Sequence, residues 1–313
     1  MTTTPNHRLH PELASRIGDL AASPRVDAEA VGRLTDPVGP AEGWDLLIED
    51  RDIPGAGTSI PLRVYRPQAN APARPCLVWM HGGAWVAGDI DMPEAHETAR
   101  GIAGRADAVV VSVDYRLCGE DVHFPAPHDD VISAYRWVRD HAQELGIDPA
   151  RIALGGASAG GNLAAGAALH LGEDGETVWQ TLLAYPLVHA PIPEPSAELG
   201  AALAMLPEAI RLPSDAVRQV LDHYLGAAVD RIPPHAFPGL AGDLRGFPPT
   251  YIDMDEFDSL RSSGEQFADQ LRAAGVEVEQ VTTPGALHGH LNIAGFAPAH
   301  ATLDRMAARL RKG

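Results

Sequence analysis

The stretch Leu154-Gly155-Gly156-Ala157-Ser158-Ala159-Gly160-Gly161-Asn162 holds a Gly-x-Ser-x-Gly pentapeptide between two apolar runs. The run before it predicts a short strand, and the run after it predicts a helix. A serine on such a tight turn takes a strained backbone conformation, and side chains at Gly156 and Gly160 would collide with the neighbouring strand and helix. The turn exposes the hydroxyl of Ser158, and the new helix points free N–H groups toward it. Ser158 is therefore a candidate nucleophile that needs partners elsewhere in the chain.

Charge excludes several classes of function. The 313 residues carry 24 basic and 42 acidic groups, a net charge of −18, which argues against nucleic acid and anionic membranes as partners. Lys312 is the only lysine. A Schiff base, a Ser-Lys dyad and a phosphate-binding Walker lysine are therefore excluded, and another residue must activate Ser158.

The N-terminus and the cysteines predict the compartment. No signal-peptide core and no apolar run of about 20 residues is present, so the expected location is cytoplasmic. The chain has two cysteines, which makes a disulfide framework improbable, and 14 histidines without a metal-binding spacing. The nearest approach to a ligand pair is His288-Gly289-His290, and no metal site is predicted.

Strand and helix patterns alternate along most of the chain. Two short helices are expected within residues 7–35, broken at Pro24, and an antiparallel hairpin follows at residues 46–66. Apolar runs typical of buried strands then alternate with helical patterns, which predicts a mostly parallel sheet. The proline-rich residues 187–241 lack a convincing strand and are interpreted as an insertion over the strand ends. The predicted strands and helices after the hairpin are strands 75–81, 108–115, 151–154, 181–186, 249–255 and 276–281, and helices 93–105, 128–145 and 162–171.

A second glycine-rich turn, His81-Gly82-Gly83-Ala84, follows the strand at residues 75–81. In parallel sheets ligands bind at the carboxyl ends of strands, and small residues there let backbone N–H groups approach a substrate carbonyl. An ordinary tight turn is the alternative. Two glycine-rich turns at neighbouring strand ends favour an oxyanion hole, with the N–H of Ala159 as the donor beside the nucleophile.

The base and the acid are expected from the last two strands. Because lysine is missing, the base must be a histidine, and His288 lies in a predicted loop at a strand end, with His290 as the nearest rival. The acid should come from a predicted loop after the strand at residues 249–255, and the order nucleophile, acid, histidine suits this topology. The candidate acids are Asp253, Asp255, Glu256 and Asp258.

These motifs resemble those of the hormone-sensitive-lipase-like branch of the α/β hydrolases, the bacterial family IV esterases. The turn at residues 81–84 stands where the family has His-Gly-Gly-Gly, and residues 156–162 stand where it has Gly-Asp-Ser-Ala-Gly-Gly-Asn. Residues 114–117 match Asp-Tyr-Arg-Leu, residues 258–264 align with Asp-Pro-Leu-Arg-Asp-Glu-Gly, and residues 288–290 align with His-Gly-Phe. The resemblance covers nearly the whole chain.

The resemblance implies a single α/β-hydrolase domain with a mostly parallel eight-stranded sheet flanked by helices. A helical cap would be built from residues 1–44 and 187–241. The implied triad is Ser158, Asp258 and His288, and the implied oxyanion donors are the N–H groups of Gly83, Ala84 and Ala159. The expected reaction is hydrolysis of carboxylic esters with short or medium acyl chains, through an acyl-enzyme. No cofactor is implied; the expected partner is a small ester, with a homodimer as a possible assembly.

Departures from the family pattern concern rate and selectivity more than reaction type. Ala84 replaces the last glycine of the oxyanion motif, so its donor requires a φ that suits a residue with a Cβ. Ala157 replaces an aspartate, and Cys118-Gly119 replaces Ala-Pro. An amidase or acyl transferase with the same triad is an alternative. A non-catalytic small-molecule receptor, as in the plant gibberellin receptors, is disfavoured because all three triad positions are kept.

Overall fold

Helices alternate with strands in the computed structural model, which describes residues 7–22, 28–68, 73–211, 214–226 and 232–312. The strands are β1 (Leu46–Pro54), β2 (Ser59–Pro67), β3 (Arg74–Met80), β4 (Val109–Val113), β5 (Ile147–Ala157), β6 (Thr181–Ala184), β7 (Thr250–Phe257) and β8 (Val278–Leu287). The helices of the described residues are α1 (Pro11–Ala22), α2 (Ala28–Gly32), α3 (Pro93–Ala106), α4 (Ala126–Asp140), α5 (Ala142–Leu145), α6 (Ala159–Glu173), α7 (Ala197–Ala204), α8 (Ser214–Leu225), α9 (Arg261–Ala273) and α10 (Ala297–Arg311).

The described residues form one eight-stranded sheet in the order β1-β2-β4-β3-β5-β6-β7-β8. The pairs β1–β2 and β2–β4 are antiparallel. The other six strands, β3 to β8, run parallel to one another. The predicted mostly parallel sheet is therefore confirmed. The parallel arrangement brings the ends of β3, β5, β7 and β8 to one edge, where the candidate residues lie.

Both faces of the sheet are covered, as the apolar character of β3 requires. Cys76, Val78 and Met80 belong to one core cluster, which includes apolar residues of α4, α6 and α9. Leu77 and Trp79 alternate with them and belong to the cluster on the other face, which includes residues of α3 and α10. All five side chains are fully buried. A strand buried on both faces needs a continuous apolar run rather than an alternating one.

The N-terminal helices contact the segment interpreted as an insertion. Ile17 of α1 and Leu34 share a small core cluster with Ala202 of α7, with Leu206 and with Phe257 at the end of β7. The two predicted segments of the cap therefore pack together beside the end of β7. The expected break at Pro24 lies outside the described residues.

Three details of the predicted elements are wrong. The predicted helix at residues 128–145 is two helices, because His141 between α4 and α5 has φ −105° and ψ 19°, which departs from helical geometry. The acids predicted in a loop are mostly in a strand, since β7 continues to Phe257. Strand β8 continues to Leu287, past a proline and a glycine that indicate a turn, because a register shift lets the pairing with β7 resume.

None of the helices in the described part of the chain combines the length and apolar character required to cross a bilayer.

Candidate active site

Ser158 occupies the turn between β5 and α6 with φ 53° and ψ −116°. Its backbone N–H donates to the carbonyl of Ala184 at 2.9 Å, which fixes the turn against β6. A Cβ on Gly156 would lie 2.3 Å from the carbonyl oxygen of Gly160, and a Cβ on Gly160 would lie 2.2 Å from that of Met80. Only glycine fits at either position. The strained serine conformation expected from the pentapeptide is present.

His288 and Asp258 complete a hydrogen-bonded chain that ends at Ser158. The Nε2 of His288 lies 3.0 Å from Ser158 Oγ, and its Nδ1 lies 2.8 Å from Asp258 Oδ2. Asp258 is the first residue after β7, and its other oxygen accepts the N–H of Leu260 at 2.8 Å, which orients the carboxylate. The Asp258 side chain is fully buried, whereas that of His288 is 30% exposed. The arrangement suits proton transfer from a hydroxyl to an imidazole.

The other sequence candidates lie elsewhere. Asp255 contacts the Nδ1 of His290 at 2.7 Å, and the Nε2 of His290 lies 2.9 Å from the Thr302 hydroxyl, in the core. Both side chains of this ion pair are fully buried. Asp253 pairs with a guanidinium of α10, and Glu256 accepts a hydrogen bond from the backbone of β8. The structure thus brings only one of the two histidines and one of the four acids to Ser158.

The electrostatic surroundings favour the protonated imidazole of His288. Burial lowers the pKa of His288, but the carboxylates of Asp258 and, to a smaller extent, Asp255 and Glu94 together outweigh it, and the pKa is raised to about 9. A strong partner for the imidazolium makes the histidine a better proton acceptor.

The turn after β3 has an unusual backbone. The φ angles are 110° at Gly83, 56° at Ala84 and 61° at Trp85. A Cβ on Gly83 would lie 1.9 Å from the carbonyl oxygen of Ala87, so glycine is required there. Ala84 adopts the left-handed conformation, which costs a residue with a Cβ about 1–2 kcal/mol. Alanine replaces glycine at this position at the expense of backbone strain.

Three backbone N–H groups are available beside Ser158. Within the described part of the chain, no residue accepts a hydrogen bond from the N–H of Gly83 or Ala84. Ala159 is the first residue of α6, where a helix leaves N–H groups without an acceptor. All three residues line the same cavity as Ser158. These donors are arranged to bind negative charge that develops on a carbonyl oxygen.

Glu94 is a buried residue that sequence reasoning missed. Its Oε1 accepts the N–H of Gly82 at 2.6 Å, and its Oε2 accepts the hydroxyl of Tyr185 at 2.7 Å and the side-chain amide of Asn292 at 3.1 Å. The carboxylate therefore links the glycine-rich turn after β3 to the histidine loop. Acidic residues are common in the first turn of a helix, where they interact favourably with the helix dipole. The position of Glu94 in the sequence therefore gave no separate indication of a role at this site.

Two cavities meet at His288. One, of about 380 Å³, contains Ser158 and the three N–H donors, and the other, of about 310 Å³, lies toward α1 and α7. Thr35, His288 and Gly289 border both. Apolar side chains of the first cavity are Trp85, Met92, Leu187, Val220 and Leu260. The wall is mostly apolar around a few polar groups, as is usual in small-molecule sites.

Comparisons with known proteins identify the family of this chain. Residues 77–292 match a family model described as the α/β hydrolase fold. The chain is 40% identical over 268 residues to the carboxylesterase NlhH of Mycobacterium tuberculosis, covering 82% of this chain and 79% of the relative. It is 31% identical over 254 residues to an ethyl acetate hydrolase of Pseudomonas putida, covering 80% of this chain and 76% of the relative.

The fold is also that of solved esterases. The hyperthermophilic esterase of the archaeon Pyrobaculum calidifontis superimposes with a TM-score of 0.80 and 32% identity, covering 97% of this chain and 98% of that one. The thermostable carboxylesterase EstE1, from a metagenomic library, superimposes with a TM-score of 0.78 and 36% identity, covering 87% of this chain and 91% of that one. The chain therefore belongs to the α/β-hydrolase-fold family, in the hormone-sensitive-lipase-like branch that its motifs resemble.

Proposed function

We propose that Ser158, His288 and Asp258 are the catalytic residues of this carboxylic ester hydrolase. The observation that carries the proposal is the continuous set of contacts from Asp258 through His288 to Ser158, at 2.8 and 3.0 Å, on the wall of a cavity. No other described serine combines a strained turn with a histidine at hydrogen-bond distance and free N–H donors beside it.

Acylation would begin when the Oγ of Ser158 attacks the carbonyl carbon of the ester and passes its proton to the Nε2 of His288. The carbonyl oxygen becomes an oxyanion, which the N–H groups of Gly83, Ala84 and Ala159 bind. The tetrahedral intermediate then collapses. The bond to the alcohol breaks, the leaving oxygen takes the proton from His288, and the acyl group remains on Ser158.

Deacylation would repeat these steps with water. His288 takes a proton from the water as its oxygen attacks the acyl carbon, and the same three N–H groups hold the second oxyanion. The carboxylic acid leaves when the Ser158 oxygen is reprotonated by His288. Throughout, Asp258 keeps the Nδ1 of His288 protonated and stabilises the imidazolium. No step requires a metal ion or an organic cofactor.

We propose that the substrates are small esters with short or medium acyl chains. The cavity that holds Ser158 measures about 380 Å³, near the lower end of the roughly 300–1,000 Å³ usual for small-molecule sites. The name of the Pseudomonas putida relative, an ethyl acetate hydrolase, is consistent with a small acyl group.

A panel of p-nitrophenyl esters from acetate to palmitate, together with the matching p-nitroanilides, tests the reaction and its range. Acetate to octanoate should react fastest, palmitate and the anilides much more slowly. In Ser158→Ala, ester turnover should fall at least about 10³-fold. Ser133→Ala is the matched control, because its hydroxyl donates to the Asp129 carbonyl within α4, outside the site.

Faster hydrolysis of the anilides than of the esters would replace the esterase assignment with an amidase. Ester turnover in Ser158→Ala within tenfold of wild type would remove Ser158 as the nucleophile. Unchanged melting temperatures for both serine variants would show that the loss is chemical rather than structural.

The cytoplasmic location and the homodimer expected from the sequence are also proposals. Cell fractionation tests the first, and light scattering during size-exclusion chromatography tests the second. A periplasmic or secreted product would contradict the location, and a monomer at micromolar concentration would contradict the dimer.

A further inference from the structure

Three histidines far apart in the sequence meet at the C-terminal end of α6, the end opposite Ser158. His128 lies in the first turn of α4, His170 in the last turn of α6, and His235 in the segment before the short helix at Pro238–Leu240. Their ring planes are within 10° of parallel, and one nitrogen of each lies within 4.8 Å of the other two.

The spacing of the facing nitrogens is close to that of metal ligands. The Nε2 of His128 lies 3.0 Å from the Nδ1 of His170. Two nitrogens bound to tetrahedral Zn²⁺ at about 2.0–2.1 Å are separated by about 3.3 Å. A neutral imidazole carries one proton, so one of these facing nitrogens already presents a lone pair to the other. The side chains of His170 and His235 are 31% and 27% exposed, so an ion can reach them from solvent. Because the three rings are nearly parallel and a bound ion lies in the plane of each imidazole, these two exposed rings would have to turn when the ion binds.

The buried member of the cluster has a ring nitrogen without a partner. His128 is 1% exposed, and its Nε2 faces His170. Its Nδ1 is buried without a hydrogen-bond partner. Only one of the two ring nitrogens of His128 is therefore hydrogen-bonded within the protein.

Carboxylates lie beside the other two histidines. Glu173 Oε2 is 2.8 Å from the Nε2 of His235, and Asp174 Oδ2 is 3.7 Å from the Nε2 of His170. Carboxylates on the distal nitrogen commonly orient metal-binding imidazoles and increase their basicity. For His170 the distal nitrogen is the one opposite the nitrogen that faces His128.

Gly166 permits the close approach of the third histidine. A Cβ at this position of α6 would lie 2.2 Å from the carbonyl oxygen of His235 and 3.5 Å from the Nδ1 of His128. Any larger residue would push the segment carrying His235 away from α6. The glycine therefore lets all three imidazoles share one small volume.

We propose that His128, His170 and His235 form a binding site for one divalent transition-metal ion, with Zn²⁺ as the best-fitting ion. Imidazole nitrogens suit Zn²⁺, Ni²⁺, Cu²⁺ and Co²⁺, whereas Mg²⁺ and Ca²⁺ prefer oxygen. The role is structural. His170 follows Ser158 by twelve residues along α6, about 18 Å away. The ion would fasten the segment at residues 232–237 to α4 and α6.

Calorimetric titration of the chelator-treated protein with Zn²⁺ tests the site. One ion per chain should bind, and the melting temperature should rise with Zn²⁺, because an ion that binds only the folded state stabilises it. Co²⁺ should bind at the same stoichiometry and show the strong visible absorption of a tetrahedral nitrogen-ligand set. Mg²⁺ should do neither.

Single variants assign the ligands. His170→Ala and His235→Ala should each weaken Zn²⁺ binding at least about 100-fold and abolish the rise in melting temperature, in line with loss of one ligand of three. His223→Ala is the matched control, because His223 is an exposed histidine of α8 outside the cluster, and it should bind Zn²⁺ like wild type. Both cluster side chains are partly exposed, and circular dichroism of the metal-free variants verifies their fold.

The inference is overturned if the wild-type protein binds no Zn²⁺ at one ion per chain. It is also overturned if binding survives in both His170→Ala and His235→Ala. Either result would leave the cluster as a set of stacked, hydrogen-bonded imidazoles.

Discussion

Two Asp–His pairs lie at the ends of β7 and β8 with nearly equal separations, yet only one faces the cavity. Asp258 and His288 are separated by 2.8 Å, and Asp255 and His290 by 2.7 Å. Each histidine also has a hydroxyl beside its Nε2, that of Ser158 at 3.0 Å and that of Thr302 at 2.9 Å. By these distances alone, the two pairs would be indistinguishable.

The difference lies in what surrounds the hydroxyl. Ser158 is on a strained turn that lines a cavity, beside N–H groups that have no acceptor among the described residues. Thr302 is fully buried in α10, and both side chains of the second pair are fully buried too. A hydroxyl that no ester can reach has no reaction to perform. An Asp–His pair is therefore catalytic only where substrate and oxyanion donors can meet it, and otherwise contributes to the core.

Replacing the two histidines separately should give the largest contrast. His288→Ala removes the base, and kcat should fall at least about 10³-fold with little change in melting temperature. His290→Ala leaves Asp255 buried without its partner, so we expect a loss of about 3 kcal/mol in the free energy of unfolding but a rate per folded molecule within tenfold of wild type. Ester kinetics and urea denaturation of both variants measure this. The opposite ranking of rates would move the base to His290.

The two aspartates should follow the same division. Asp258→Asn should lower kcat by about 10⁴-fold, because an amide cannot hold the required tautomer of His288 or stabilise its imidazolium. Asp255→Asn should affect mainly stability, through the buried contact with His290. If Asp255→Asn were the inactive variant and Asp258→Asn the unstable one, the assignment of the acid would be wrong.

The pH dependence should connect the two pairs. His288 accepts a proton only when neutral, and nearby carboxylates raise its pKa to about 9 despite burial. Because loss of that proton activates the base, kcat/KM for an uncharged ester should rise with pH above 7 and level off near 9. Asp255→Asn removes one of the charges that raise this pKa, so its profile should shift to lower pH. A wild-type profile already flat at pH 7, after correction for spontaneous hydrolysis, would contradict this account.

Replacing Ala84 should have the smallest effect. Ala84 supplies one of the backbone N–H donors that lie beside Ser158 and, among the described residues, have no counterpart beside Thr302. Its φ of 56° favours glycine, so Ala84→Gly should increase the free energy of unfolding by up to about 1 kcal/mol. The N–H donor remains, and selectivity between primary- and tertiary-alcohol esters should stay within about threefold. Thermal denaturation and rates on both ester types measure this. A marked gain on tertiary esters without stabilisation would show that the methyl group acts by crowding the substrate.

The parts of the fold predictable from sequence were those with strong local signals. The apolar run at residues 75–81 and the glycine turn around Ser158 predicted a strand and a strand-to-helix turn, and both are observed. The end of β8 was not predictable, because Pro284 and Gly285 indicate a turn. Only the resumed pairing with Phe257 keeps them in a strand.

Side-chain direction marks the limit of the sequence for the candidate site. His288 and His290 are two residues apart, and the positive φ of Gly289 between them sends one toward Ser158 and the other into the core. Nothing in the local pattern distinguishes them; the family motif did. The contact of Glu94 with Gly82 and the meeting of the three histidines depend on residues distant in sequence, so no spacing could predict them.

Covalent trapping tests the central claim most directly. An alkyl p-nitrophenyl phosphonate reacts with an activated serine to form a stable ester on its oxygen, with release of p-nitrophenol. After incubation and digestion, mass spectrometry should find one adduct per chain, on Ser158, and Ser158→Ala should remain unmodified under the same conditions. Modification at another residue of the wild-type protein, or an equal yield of adduct in Ser158→Ala, would contradict the assignment of Ser158 as the nucleophile.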